Sequence, residues 1–550
     1  MTTPAFPTSA LSPARWGPRL PLCILVVALC LSTLGLCSSA VAATVAGRSV
    51  DGPSPSLQSV GAVALARDAD GAIVYVKTEG AVSHPFVTRL LPRGWSPPER
   101  VDGSLEGTLS TPVVAAALGG RLTVAFVDNG ALYASVAPAA GRPFSAPQLV
   151  ASPATDPALA MAQDGTGYLS FTVPGRPAVV RVAHLDRQAS SFVVVGAPLN
   201  LDPSASAGDG LLKRSRVAVS SDASALVTWG EDGAGGATHV VARRVIGTQL
   251  GSAPRDLTLD SLDGRPGGSA DSPEVRIEDV SSYALVTFRE SFSDGSTVRS
   301  RAIARRLVGS EFDAPVAIDG LAFGGEGADV PSLDFIANGV GLTGVGLSTS
   351  HEVVADLVDQ GALLAPRRVD SLPNAIAPSP VEAVGDNGSG LIAWRQSLGP
   401  SIRARPLDHG AFTAEALLSN PALGPVDVAD GLGAGADHRG NTVVAFLQGA
   451  AGARRLVVAS SAQAPRAFRI LSSAPSGPSR RPVIRWQAAK DLSGAPVYRV
   501  AIDGVGVAST TATHLRPRAS LAKGVHRVRV VAVNRFGVSR ATTSRVRVGG

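Results

Sequence analysis

Seven charged residues could do chemistry together: Asp128, Glu231, Asp232, Arg289, Glu290, Asp294 and Arg395. Each follows closely on a short apolar run that ends in an aromatic residue. If those runs are equivalent strands of one repeated unit, the seven residues emerge on one face of the molecule. Carboxylates brought there from different units could bind a cation, or divide general acid and general base between them. A second set is purely cationic: Arg499, Arg527, Arg529, Arg545 and Arg547 alternate with Tyr498, Val528, Val530, Val546 and Val548. A strand places alternate residues on opposite faces, so each run turns its arginines outward, and if these runs are neighbouring strands the five share one outer face that would attract polyanions.

Signatures of nucleophilic, metal and phosphate chemistry are missing from the sequence. It contains no G-x-S-x-G elbow and no H-E-x-x-H. The eight histidines include no pair at ligand spacing. Gly339-Val340-Gly341-Leu342-Thr343-Gly344 matches G-x-G-x-x-G in letters only, since it falls within a strand pattern rather than a strand-turn-helix unit. Asp68-Ala69-Asp70-Gly71 opens like a calcium loop but lacks the third carboxylate and the distal Glu, and reads as a hairpin turn. No catalytic residue, cofactor or metal site is assigned.

Positioning falls to a repeat. The aromatic-ended run recurs at Tyr75, Phe126, Phe171, Trp229, Phe288, Trp394 and Phe446, with a degenerate copy at Leu342 to Val345. That makes eight units at a spacing of 45 to 59 residues. Pro112, Pro157 and Pro380 stand 14 residues before their aromatics, with a Gly/Asp/Asn turn between. Another alternating strand follows each aromatic, and then a short element with Pro three residues on, as in Trp95 to Pro98. Four short strands at this period define the blade of a β-propeller. One blade cannot cover both its apolar faces alone, so blades stack around an axis with the aromatics in the seams. The chain resembles the secreted β-propellers in architecture over residues 50 to 465, which implies a fold and no activity. Eight blades are favoured over seven plus an irregular unit. The eighth unit lacks a fourth strand, which residues 44 to 58 could supply.

From Arg466 the pattern changes. Ser472 to Pro482 reads as a linker. The runs around Trp486, Tyr498 and Leu521 to Gly537 resemble a fibronectin type III or bacterial Ig-like domain. Trp486 and Tyr498 match its core aromatics, and Leu521, Gly524, Ala532, Asn534 and Gly537 its late-strand signature. The resemblance implies a small sandwich. His526 replaces the tyrosine that pins a corner in that family, which puts the corner bond in question. Residues 466 to 550 hold 16 basic and two acidic residues, whereas residues 44 to 465 hold 32 basic and 42 acidic ones.

The expected organisation is a signal peptide at 1–43, a propeller at 44–465, a linker or edge at 466–482 and a sandwich at 483–550. The leader has Arg15 and Arg19, an apolar run from Leu20 to Leu36 and small residues at Ala40 to Ala43. All three cysteines, Cys23, Cys30 and Cys37, lie in it, so the rest of the chain has no disulfide. A large exported chain without disulfides fits a bacterial envelope or exterior. Membrane contact is expected only through that segment if it is not cleaved. The expected function is non-enzymatic: the propeller as a surface for a protein or glycan, and the sandwich as an anchor on an anionic envelope polymer. No specific nucleic acid is expected. The alternative is a secreted carbohydrate-active hydrolase or lyase using the propeller-face carboxylates.

Overall fold

The computed structural model describes residues 42–550 apart from 111, 252, 279–282, 337–338, 427–430, 472–479 and 550. The leader through residue 41 and most of the Ser/Pro/Gly-rich linker lie outside the described residues.

Among the described residues eight antiparallel sheets follow one another in order. Blade 1 runs Leu57–Leu65, Gly71–Glu79, Val82–Leu91 and a broken outer strand at Gly94–Trp95 and Glu99–Arg100. Blades 4 to 7 repeat that plan, including the broken outer strand. Pro98, Pro254, Pro315 and Pro366 stand in four of those breaks, where a residue without N–H interrupts the ladder. Blade 8 takes three strands from Gly433–Ala436, Thr442–Gln448 and Arg454–Ala462. Its fourth is the first strand of the chain, Ala43–Ser54, paired antiparallel with Arg454–Ala462. The ring is therefore closed by hydrogen bonds between the two ends of the propeller.

The eight seams are the core. Phe126 packs with Val74 and Val87 of blade 1, Phe171 with Ala134 and Val136 of blade 2, and Trp229 with Tyr168 and Val182 of blade 3. Phe288, Val345, Trp394 and Phe446 repeat the arrangement around the ring. Tyr75 completes it by packing on Val443 and Val458 of blade 8. Each of these eight side chains is at most 1% exposed. The degenerate unit fills its seam with Val345 in place of a ring.

A second repeated device holds the blades. In five blades a buried aliphatic residue is followed by a small polar one that accepts a bond from an amide of the third strand. Asn200 accepts from Val180 N (3.0 Å), Thr258 from Val240 N (2.9 Å) and Asp319 from Ala302 N (3.0 Å). Asp370 accepts from Val353 N (3.2 Å) and Ser419 from Ile402 N (3.2 Å). These bonds satisfy amides where the outer strand ends.

The C-terminal part is a two-sheet β-sandwich. Ile470–Leu471, Ile484–Trp486 and His514–Leu515 form one sheet. Val505–Thr510, Val497–Ile502, Gly524–Val533 and Ser539–Val548 form the other, in that order. Trp486, Tyr498, Val528 and Val530 make its core with Phe468. Ile470–Leu471 falls within the stretch expected to be linker or edge, and is the edge strand of the first sheet. The corner bond left in question is made by the substitute: His526 Nε2 lies 2.8 Å from the Ala522 carbonyl and Nδ1 lies 2.6 Å from Asp503. Both nitrogens face acceptors, so only the imidazolium satisfies both. The Ala522 carbonyl and the Asp503 carboxylate accordingly raise the imidazole pKa above its ordinary value. A raised histidine contributes stability that is complete below the unfolded pKa of about 6.5 and is lost as pH rises through the folded value. The thermal midpoint of the sandwich is expected to fall across that interval, and His526→Gln to flatten the dependence. An unchanged pH profile in the variant would exclude this corner as its source.

Sandwich and propeller belong to one compact unit, residues 42 to 550. The turn Asn534 to Val538 is driven into the closing seam. Phe536 and Val538 join the cluster of Leu57, Tyr75, Val443 and Val458 and are 1% and 3% exposed. Arg535 Nη1 pairs with Asp70 Oδ1 at 2.7 Å, with both side chains largely buried. Asn534 Nδ2 donates to the Gln463 carbonyl (2.9 Å), and Arg540 Nε to the Pro465 carbonyl (2.8 Å). Gly537, at φ +89°, allows the turn to close, with Asn534 Oδ1 accepting from Val538 N (3.0 Å).

Candidate functional site: loop face, axis and arginine face

The loop-face carboxylates are largely spent on the fold. Glu231 is 2% exposed and accepts from Leu201 N (2.9 Å), Asp202 N (2.6 Å) and Trp229 Nε1 (2.8 Å). It ties the connection that enters blade 4 to the aromatic of that blade. Glu290 does the same in blade 5, accepting from Leu259 N (3.0 Å), and burial pushes its pKa up to about 8. Gln448 holds the entry to blade 8 through the Asn420 and Gly424 carbonyls (2.7 Å each), and Gln396 holds Pro373 in blade 7. All four stand two residues after the aromatic, so the repeat itself explains their polarity. Asp128 occupies the same position in blade 2, buried against Gly107.

Asp232 pairs with Lys213 at 2.8 Å. Arg289 makes a two-pronged bond with Asp271 (2.9 and 2.8 Å), which raises its pKa further. Asp294 is exposed in a tight turn, where the Thr297 amide and hydroxyl and the Ser296 amide lower its pKa. Arg395 is half-buried opposite Ile402. Among the described residues, the hydrogen bonds and ion pairs of the six acidic and basic residues from Asp128 to Asp294 run within a blade or to its incoming connection, except that Arg289 also pairs with Asp329 (3.6 Å) on the connection entering blade 6; none joins two of the six across blades.

Near the axis the charge is one-sided. Arg216 of blade 4 pairs with Glu274 of blade 5 (2.6 Å), and Arg276 of blade 5 with Asp334 of blade 6 (3.5 Å). Ser332 of blade 6 donates to Glu382 of blade 7 (2.8 Å), whose pKa burial pushes up to about 8. The inner strands of blades 8 and 2 are Gly433–Ala436 and Val113–Ala117, built from Gly, Ala and Val. At one end of the axis lies a pocket of about 200 Å³ with apolar walls, including Leu65, Ala117, Met161 and Val384. Its mouth carries the Arg67–Asp386 ion pair and His438. Sequence reading missed this network because inner strands four blades long in total show no common polar spacing. The Asp68 to Gly71 turn spends its carboxylates elsewhere: Asp68 on Gly119 N (2.7 Å) and Asp70 on Arg535.

The arginine set is assembled as the alternation required. Val497–Ile502, Gly524–Val533 and Ser539–Val548 are neighbours, and Arg499, Arg527, Arg529, Arg545 and Arg547 are exposed on their outer face. Arg527 stands directly opposite Arg545, Arg499 opposite Val531, and Arg529 opposite Ala501. None of the five forms an ion pair among the described residues. The two acidic residues of this region are taken: Asp503 by His526, and Asp491 by Ser493 N (2.7 Å). Arg48 of the ring-closing strand is half-buried and donates to the Arg535 carbonyl (3.4 Å). Burial and, after it, repulsion from Arg499 lower its pKa.

These features define an eight-bladed β-propeller, closed by its own N-terminal strand and joined at the closing seam by a two-sheet β-sandwich. No family model matches the sequence, and no curated protein matches it. Among solved structures the chain is similar to the Dos1 propeller, at 11% identity over 76% of this chain and 95% of that one, with a TM-score of 0.45. It is also similar to a PL25 ulvan lyase, at 12% identity over 66% and 96%, TM-score 0.41. A third is the polysaccharide lyase Uly1, at 8% identity over 73% and 89%, TM-score 0.38. The ring rests on the strand pairing described above, and these likenesses carry no chemistry to this chain.

Proposed function

We propose that this is an exported binding protein that holds an anionic polymer on the arginine face of its sandwich. The propeller is the rigid body carrying that face, and its loops offer a further surface to a protein or glycan. The leader at 1–43 directs the chain to a bacterial envelope or exterior, and the sandwich, whose sheet order suits a fibronectin type III domain, is the anchor. One observation carries the reading: five exposed arginines lie on one sheet face, and none of them forms an ion pair among the described residues. Like charges directly opposite on neighbouring strands, as at Arg527 and Arg545, cost stability. A polyanion relieves that cost and gains charge-assisted hydrogen bonds.

The test is binding of the full chain to polygalacturonate and to polyphosphate at rising salt. A flexible polyanion engaged by five guanidinium groups gives a log–log slope of about −3.5. The double variant Arg527→Gln/Arg545→Gln is expected to flatten the slope by about 1.4 and to leave the fold as stable or slightly more so. Salt-independent binding, or no binding to either polymer, would overturn the proposal.

A further inference from the structure

The arginine face has a groove in it, about 560 Å³, between strands Val497–Ile502, Val505–Thr510 and Gly524–Val533. Its floor is Ala501, Gly506 and Val531, and Arg499, Arg529 and Ser509 border it. The register explains the shape. Ala501 faces Gly506 on one side and Arg529 on the other, while Arg499 faces Ser509 and Val531. Small residues remove the side chains that would cover the centre, and the two guanidinium groups stand diagonally across it, their attachment points about 7–8 Å apart.

Resting on the polyanion reading, we propose that the groove seats one residue of an acidic polysaccharide, a uronate. Three features point to that chemistry. Guanidinium groups recognise a carboxylate by paired, planar hydrogen bonds. A saturated floor accepts the C–H face of a pyranose ring and offers nothing to a bare inorganic polyphosphate. Ser509 supplies a hydroxyl beside Arg499, suited to a ring hydroxyl. The sandwich's aromatics Trp486, Tyr498, Phe468 and Phe536 are all buried, so stacking of nucleic-acid bases has no platform among them. With no ring to stack on, one sugar is held weakly, and repeated uronates along the arginine rows supply the affinity.

Gly506 makes the test clean. A Cβ built there meets no atom within 4 Å, and its φ lies outside the left-handed region, so Gly506→Leu fills the groove without strain or change of charge. In the full chain this variant is expected to weaken polygalacturonate binding about fivefold or more, while polyphosphate binding changes by less than about twofold. Ser509→Ala, a smaller change, is expected to shift the same ratio in the same direction. If native protein binds both polymers and neither variant separates them, the groove proposal fails and the arginine-face reading survives. If native protein binds neither polymer, both fail. A Gly506→Leu protein with an unchanged thermal midpoint rules out misfolding, and Ser509→Ala decides the matter should that midpoint drop.

Discussion

Phe536→Ala is expected to destabilise the protein by about 3–5 kcal/mol and to do so at the ring closure first. The side chain is 1% exposed and belongs to the sandwich, yet its contacts are the seam residues Tyr75, Val443 and Val458. Truncation opens a cavity in the seam that depends on Ala43–Ser54 for its outer strand. It also loosens Arg535, whose ion pair with Asp70 is largely buried. A buried pair that loses one partner leaves an uncompensated charge, so Arg535→Met is expected to cost a similar amount, about 3 kcal/mol. Hydrogen exchange reads out the location. Amides of Ala43–Ser54 and Arg454–Ala462 should lose protection before those of blade 4, because neighbouring blades couple only through their shared faces. Uniform loss around the ring, or none, would mean that the sandwich is an appendage and not part of the closure.

Trp229→Ala is the second large effect, again about 3–5 kcal/mol from the emptied seam between blades 3 and 4. It carries an added cost, because Trp229 Nε1 is one of three donors to the nearly buried Glu231. Trp229→Phe separates the parts. It keeps most of the ring packing and removes the indole N–H, so it should cost about 1–2 kcal/mol. Denaturant midpoints for the two variants, with Glu231→Gln as a third, measure this. Glu231→Gln retains one acceptor for Leu201 or Asp202 but not both, and should also weaken the blade entry. If Glu231→Gln were as stable as the native protein, the clamp would contribute nothing and the carboxylate would be free for another role.

The clamp shows what sequence reading missed at Glu231 and Glu290. Their position after the aromatic was legible, and so was their polarity. What the chain could not reveal is that the connection entering each blade folds back within reach. Glu231 meets amides 29 and 30 residues upstream, through a loop with no periodic pattern. The Gln396 and Gln448 counterparts carried the missing signal: a polar residue two positions after the aromatic in several units argues for a repeated structural bond.

The sequence by itself determined what is periodic. A period near 50 residues favoured eight blades over seven, the aromatics marked the seams, and period-two alternation turned Arg499, Arg527, Arg529, Arg545 and Arg547 outward on their strands. These are local or repeated properties, readable wherever neighbouring residues decide which way a side chain points. Even the closing strand was legible, because a blade with three strands needs a fourth. Only the tertiary structure decided the unique contacts. Asp70 and Arg535 lie 465 residues apart, and nothing near either announces the other. The plugging of the seam by Phe536, the one-sided axis and the groove at Gly506 arise likewise from segments brought together once. A contact made once leaves no repeat in the chain, and its energy is fixed by shape and burial that exist only after folding.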